Sequence, residues 1–251
     1  MNSAATKVPA VTLAFWIIKI AATTLGETGG DTLSMTYDLG YLVSTGIFLA
    51  ALIALVAAQI SAKRFHPFLY WATIIASTTC GTTLADFADR SLGIGYTGGS
   101  LLLLALVLIS LGVWYWVEGS VSVQTVATPR VEAFYWATIT FSQTLGTALG
   151  DWAADSGLGY LGGALGFGSA LALVAAAYFW TRISHVLLFW CAFILSRPLG
   201  ATLGDFFDKP IADGGLNLSR PIASAVLLVF VIAMILLTPQ RAAQKSGPAT
   251  S

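Results

Sequence analysis

The sequence predicts an all-α polytopic membrane protein, with eight transmembrane helices built as four parallel two-helix repeats. Three observations lead there. Of 251 residues, 57% are hydrophobic and 10% charged, and mean hydropathy is +0.81. A soluble domain carries about 25% charged residues, so this chain has too few to cover a water-facing surface. Second, a pattern recurs four times without a gap: Trp16 to Asp31, Trp71 to Asp86, Trp136 to Asp151 and Trp190 to Asp205. In each copy a Gly follows the Trp by ten positions (Gly26, Gly81, Gly146, Gly200) and the Asp follows that Gly by five. A fixed register of this kind marks a repeat architecture. Third, each copy is followed by an apolar run close to the ~20 residues that cross a ~30 Å hydrocarbon core.

Taken in order, the repeats occupy about 12–62, 67–118, 132–182 and 186–238 of one transmembrane domain spanning 1–238. The first helix of each repeat begins at or just before the Trp and runs to the Asp. The run from Val8 to Leu25 has the length of a signal peptide, but Lys19 interrupts it and it belongs to the first repeat. It reads as the first span. The second helices run from Tyr41 to Ser61, Tyr96 to Val117, Tyr160 to Thr181 and Ser219 to Thr238. Three of the intervening turns are alike (DLGYLVSTG, GIGYTGGS, GLGYLGGA), and the fourth, GGLNLSRP, departs from them. Residues 239–251 form a short polar tail, expected to be disordered and cytoplasmic.

Two spans per copy make every copy enter the membrane in the same direction, so the repeats are parallel rather than inverted. That sense suggests a pseudo-fourfold bundle, or a pair of pairs, with the Trp-to-Asp helices inside. Orientation follows from loop cations. Lys7, Lys63, Arg64, Arg130, Arg182, Arg241 and Lys245 lie on one side, against Arg90, Lys209 and Arg220 on the other. The expectation is a multi-pass protein of the inner (plasma) membrane with both termini cytoplasmic. Zero formal net charge and no basic cluster argue against nucleic acid as a partner. Cys80 and Cys191 fall at different depths, so no disulfide is expected, and no spacing suggests structural zinc.

Along each first helix the polar and small positions fall three, seven, ten, eleven, fourteen, fifteen and eighteen residues after the Trp, which is one helical face. Copy one carries Lys19, Thr23, Glu27 and Asp31 there; copy two carries Thr78, Thr82 and Asp86. Copy three has Gln143, Thr147 and Asp151, and copy four has Arg197 and Asp205. With a rise of ~1.5 Å per residue, the shared Asp lies ~22 Å beyond the Trp, near the outer edge of the hydrocarbon.

A charge inside the bilayer costs at least ~2.5–3.5 kcal/mol, so such residues face a bundle interior or an aqueous cavity. Converging carboxylates suit a hard cation, because such ions prefer oxygen ligands. They also raise one another's pKa, which suits proton exchange. Asp31, Asp86, Asp151, Asp205 and Glu27 are therefore the candidate metal ligands. Lys19 and Arg197 are charge partners or a gate, each expected beside a carboxylate, with Glu27 first choice for Arg197.

Plainer roles compete. The glycines suit close helix packing, and the four Trp residues suit interfacial anchoring. Thr23, Thr24, Thr78, Thr79 and Thr144 suit interhelical hydrogen bonds as well as ligation. Asp89, Asp155, Asp208 and Asp213 are expected in solvated turns, and turn capping or structural pairing is the lesser reading of Asp31, Asp86, Asp151 and Asp205. Cys80 reads as a small buried residue.

The fourfold Trp-Gly-Asp register, from about Thr12 to Thr238, resembles a bacterial family of integral membrane proteins made of four tandem two-helix repeats. The repeat is known as a domain of unknown function and is marked by a Trp, matched here by Trp16, Trp71, Trp136 and Trp190. The resemblance implies the architecture and brings no activity with it.

The functional expectation is a transporter that moves a small cation through a central acidic pathway, a divalent metal such as manganese, with proton coupling. Its partners are the lipid bilayer and the cation, with no resident cofactor and no catalytic residue. Two alternatives stand beside it. One is an intramembrane carboxylate enzyme, since Leu149 to Asp151 and Leu203 to Asp205 read LGD. The other is a non-transporting scaffold or sensor.

Overall fold

The computed structural model describes residues 6–243. They form eight α-helices: α1 (Leu13–Asp31), α2 (Gly40–Ser61), α3 (Pro67–Asp86), α4 (Tyr96–Glu118), α5 (Pro129–Ala153), α6 (Gly159–Trp180), α7 (His185–Asp208) and α8 (Arg220–Leu237). Among the described residues the β structure is one isolated bridge, Pro9 to Ala242. Five helical stretches are long and apolar enough to cross a membrane: α2, α4, α7, α8 and the run Pro129–Trp180 that joins α5 to α6. The polar stripe keeps α1 and α3 out of that set.

The inner helices start earlier than the Trp because local signals start them. Thr12 and Thr128 accept the backbone N–H of Phe15 and Val131, and Pro67 and Pro129 stand at the first turn of α3 and α5. At their far ends α1, α3 and α5 run past the shared region into one wide turn each: Thr32–Thr36, Phe87–Ser91 and Ala154–Leu158. The fourth copy has no such turn. Helix α7 stops at Asp208, and Lys209 is extended ahead of Pro210.

Packing closes these helices into a ring. Helix α1 lies on α3, α3 on α5, α5 on α7, and α7 returns to α1. Each outer helix leans on the inner helix of the next copy: α2 on α3, α4 on α5, α6 on α7 and α8 on α1. The ring is a closed pseudo-fourfold arrangement, with the Trp-to-Asp helices inside. The four repeat glycines sit where neighbouring inner helices cross. A Cβ at Gly26 would run into Thr78, one at Gly146 into Arg197 and one at Gly200 into Thr23; at Gly81 it would lie 2.9 Å from the Thr144 backbone nitrogen. Each Gly thus meets the region seven or eight residues past the Trp of the next copy. These are packing glycines, of the small-residue kind that lets helices approach.

Three of the four repeat Trp residues depart from interfacial anchoring, and Trp16 is partly buried. Trp71, Trp136 and Trp190 are exposed by only 1%, 3% and 3%. They pack with Phe15, Tyr70, Tyr135 and Phe189 in a continuous aromatic layer across the bundle, with ring centroids 5.1–6.4 Å apart. The reason is the early helix start, which carries the Trp into the bundle. Trp116 and Trp180, at the ends of α4 and α6 and 85% and 83% exposed, lie on the periphery, and Trp152 is 42% exposed. Tyr70 and Tyr135 join hydroxyls at 2.6 Å inside the aromatic layer.

Both ends of the chain cover this layer. The Trp71 indole donates to Gln240, Ala243 N–H donates to Val8, and Ala10 N–H donates to Arg241. The expected disordered tail is therefore bonded as far as Ala243; its remainder, 244–251 with Lys245, lies outside the described residues. Lys7, read from sequence as a free loop charge, is buried against Glu132 at 2.7 Å and donates to the carbonyls of Gln59 and Ile60.

Candidate functional site

The residues that face the axis recur every four positions from one before the Trp, so they form successive layers. After the aromatic layer come Lys19, Ile74, Ile139 and Phe193, all buried. Lys19 donates to Ser196 at 3.3 Å and its ammonium lies 4.1 Å from the Phe193 ring centroid. Among the described residues no carboxylate pairs with it, contrary to the sequence expectation. The aliphatic and aromatic neighbours at its depth leave only a hydroxyl and a ring face, and the carboxylates lie at least two turns further along.

The next layers hold the first ionic centre. Arg197 on α7 reaches Glu27 on α1 at 3.0 Å, as its register implied, and also donates to Thr82 and Thr147 at 2.6 and 2.5 Å. Thr82 donates in turn to Glu27 at 3.2 Å. Arg197 finds room because α7 carries Ala201 where the other three copies place Glu27, Thr82 and Thr147. Several polar atoms here have no partner: Arg197 Nε and Nη1, both amide atoms of Gln143, and Thr78 Oγ1. Thr24, Thr79 and Thr144 bond mainly to carbonyls of their own helices, and Thr23 also reaches the Ser196 carbonyl across the crossing.

The aspartate layer completes the site. Asp31, Asp86, Asp151 and Asp205 are all buried, and two cations join them in pairs. Arg90 lies 2.8 Å from Asp86 and 3.6 Å from Asp151; Lys209 lies 2.5 Å from Asp31 and 3.0 Å from Asp205. Asp208 is buried as well, 3.1 Å from Arg220, while Arg220 stands 3.8 Å from Asp31. Burial by itself lowers the Lys209 pKa, but Asp205, Asp31 and Asp208 outweigh it and hold the ammonium well above the ordinary lysine value. At Arg90 burial is likewise overcome, by Asp86 and Asp151.

Glu27 converges with this layer. Three sets of carboxylates have oxygens within 4.8 Å of one another: Glu27 with Asp31 and Asp86, Glu27 with Asp151 and Asp205, and Asp31 with Asp205 and Asp208. All five acidic residues singled out from the sequence thus fall in one buried cluster.

Four tandem matches to the family described as Repeat of Unknown Function (DUF347) cover residues 14–65, 69–120, 134–184 and 188–241. The chain belongs to that family. No curated protein and no solved structure matches it.

Within this DUF347 frame, sequence reasoning passed over Arg90, Lys209, Arg220 and Asp208. The three cations were counted as loop charges and Asp208 was expected in a solvated turn; Asp155 and Asp213 are exposed as such turns require. A signal was present. Asp86 to Arg90 reads DFADR and Asp205 to Lys209 reads DFFDK, whereas copies one and three read DTLSM and DWAAD. A cation four residues after the Asp lies one helical turn beyond it. Only the even copies carry it, so the fourfold frame holds a twofold alternation.

Proposed function

We propose that this DUF347 protein is a membrane transporter of a small cation, a divalent metal such as manganese, exchanged against protons at the axial acidic cluster. One observation carries the reading. Six buried carboxylates (Glu27, Asp31, Asp86, Asp151, Asp205, Asp208) meet four cations (Arg90, Arg197, Lys209, Arg220), a formal excess of two negative charges. One divalent ion or two protons would balance it, and carboxylate oxygens are the ligands a hard cation takes. The aromatic layer at one end and the Arg90 and Lys209 bridges at the other favour a carrier with an occluded site over an open channel.

In this reading all eight helices cross the bilayer, α1 and α3 with their polar stripes turned to the axis. Both termini face the cytoplasm. Lys63, Arg64, Arg130, Arg182 and Arg241 are exposed on the terminal side, where Arg130 pairs with Glu118 and Lys7 with Glu132, while all three cations of the opposite side, Arg90, Lys209 and Arg220, are tied to carboxylates. That difference strengthens the loop-charge argument.

The test is metal flux into proteoliposomes. Asp86→Asn and Asp151→Asn are expected to abolish manganese-dependent transport while the proteins still insert. Wild-type flux in both variants would overturn the proposal. A scaffold reading draws on the basic partner beside each ring aspartate; it requires both variants to leave function intact and the purified protein to show no ion-dependent thermal shift.

A further inference from the structure

The two bridging cations are equivalent in sequence and unlike in setting. Arg90 belongs to a helical turn, its side chain is 40% exposed, and it spans two carboxylates with a planar fork. The Lys209 side chain is 11% exposed, and a single ammonium stands among three carboxylates: Asp31 at 2.5 Å, Asp205 at 3.0 Å and Asp208 at 3.9 Å. Oxygens of those same three residues lie within 4.8 Å of one another, close enough to share one ion. One buried oxygen of the set, Asp208 Oδ1, accepts no hydrogen bond and stands 3.9 Å from the ammonium, whereas Asp205 Oδ1 is in ion-pair contact with it at 3.0 Å. The ammonium therefore leaves the Asp208 oxygen unsatisfied.

We infer that Lys209 is a tethered occupant of a divalent-cation site made by Asp31, Asp205 and Asp208, and that a free ion binds there by displacing it. The inference rests on reading the acidic cluster as a cation site, and it names the position within that cluster and the residue that regulates access. Lysine suits the role, because it carries a compact charge on a flexible stem, whereas arginine holds carboxylates with a rigid fork. The backbone suits it too. Lys209 lies just past the end of α7 in an extended conformation, and its carbonyl accepts from Asn217 at 2.9 Å. The backbone is pinned to the loop, and the ammonium hangs from it on a flexible four-carbon stem. Exchanging the ammonium for a divalent ion changes the cluster's excess from two negative charges to one. Arg220, 3.1 Å from Asp208, stays behind to hold that carboxylate.

The test reads binding rather than flux: the thermal unfolding midpoint of the purified full chain in detergent against manganese chloride, with choline chloride holding ionic strength constant. If Lys209 fills the site nine-tenths of the time, its removal tightens binding about tenfold. Lys209→Gln is thus expected to lower the half-saturating manganese concentration by about that factor, and adding Asp208→Asn to remove the gain. Unchanged or weaker binding in Lys209→Gln, with a responsive wild type, overturns the inference. Should Lys209→Gln fail to fold, Lys209→Arg decides: the fork must weaken manganese binding, and unchanged binding overturns the inference. A tightened Lys209→Gln protein with no wild-type flux leaves this inference standing and defeats the transport reading. Flux without tightening does the opposite, and no manganese response in any of these proteins defeats this site.

Discussion

The two ends of the bundle axis are built on the same four helices and share almost no chemistry. Near the termini the axis is filled by Phe15, Tyr70, Tyr135 and Phe189 and then by Ile74, Ile139 and Phe193, with the Lys19 ammonium against the Phe193 ring as the buried charge of these layers. Roughly four turns of helix away it is filled by carboxylates and their cations. At the first end shape does the work, and any similar rings in the same volume would serve. At the second, most of the charge is met by a named partner, because an unpaired buried ion is costly. The contrast explains why the repeat stays close to fourfold at the aromatic end and breaks to twofold at the acidic end. Four equal aspartates cannot be compensated by four equal cations without removing the site's charge altogether. Two bridging cations leave it partly charged.

The sharpest way to break the comparison is at the junction of the two regions. Arg197→Met leaves Glu27 buried without its partner and is expected to cost about 3–5 kcal/mol of stability. Adding Glu27→Leu should recover most of that, since a paired charge replaced by apolar groups is often neutral. Chemical denaturation in detergent of both single variants and the double variant checks it, and strict additivity would show that the two residues do not act as a pair.

At the aromatic end, Trp71→Ala should cost about 3–5 kcal/mol, because it empties a fully packed position. Trp116→Ala, at the 85% exposed periphery, should change the same unfolding midpoint little. Equal effects would return the repeat Trp to the role of an anchor. The smallest effect belongs to the hydroxyl pair. Tyr70→Phe keeps the ring and strips Tyr135 of its 2.6 Å partner, a loss of about 1–3 kcal/mol for one unsatisfied buried hydroxyl. Tyr70→Phe together with Tyr135→Phe should cost less than the single variant, measured in the same denaturation series.

Much of this molecule was legible before any packing was known. The Trp-Gly-Asp register gave four copies, two helices per copy gave their parallel sense, and the stripe at threes and fours brought Glu27, Asp31, Asp86, Asp151 and Asp205 to one face. Even the pairing of Arg197 with Glu27 followed from counting turns. These features are local or periodic, and helical geometry converts periodicity into position. Where a helix starts was less legible: Thr12, Pro67 and Thr128 extend the inner helices ahead of the Trp, and Trp71, Trp136 and Trp190 lie in the core.

What only the tertiary structure decided concerns neighbours that the chain does not join in order. Helix α7 returning to α1, and each inner helix packing on the inner helix of the following copy, set which aspartates become adjacent. Adjacency then made Arg90 and Lys209 bridges between copies rather than loop charges, and left Lys19 beside Phe193 with no carboxylate. A sequence states the depth of each residue along its own helix. Contact across the axis depends on ring order and on the space left by small residues such as Ala201, and neither is written in any single repeat.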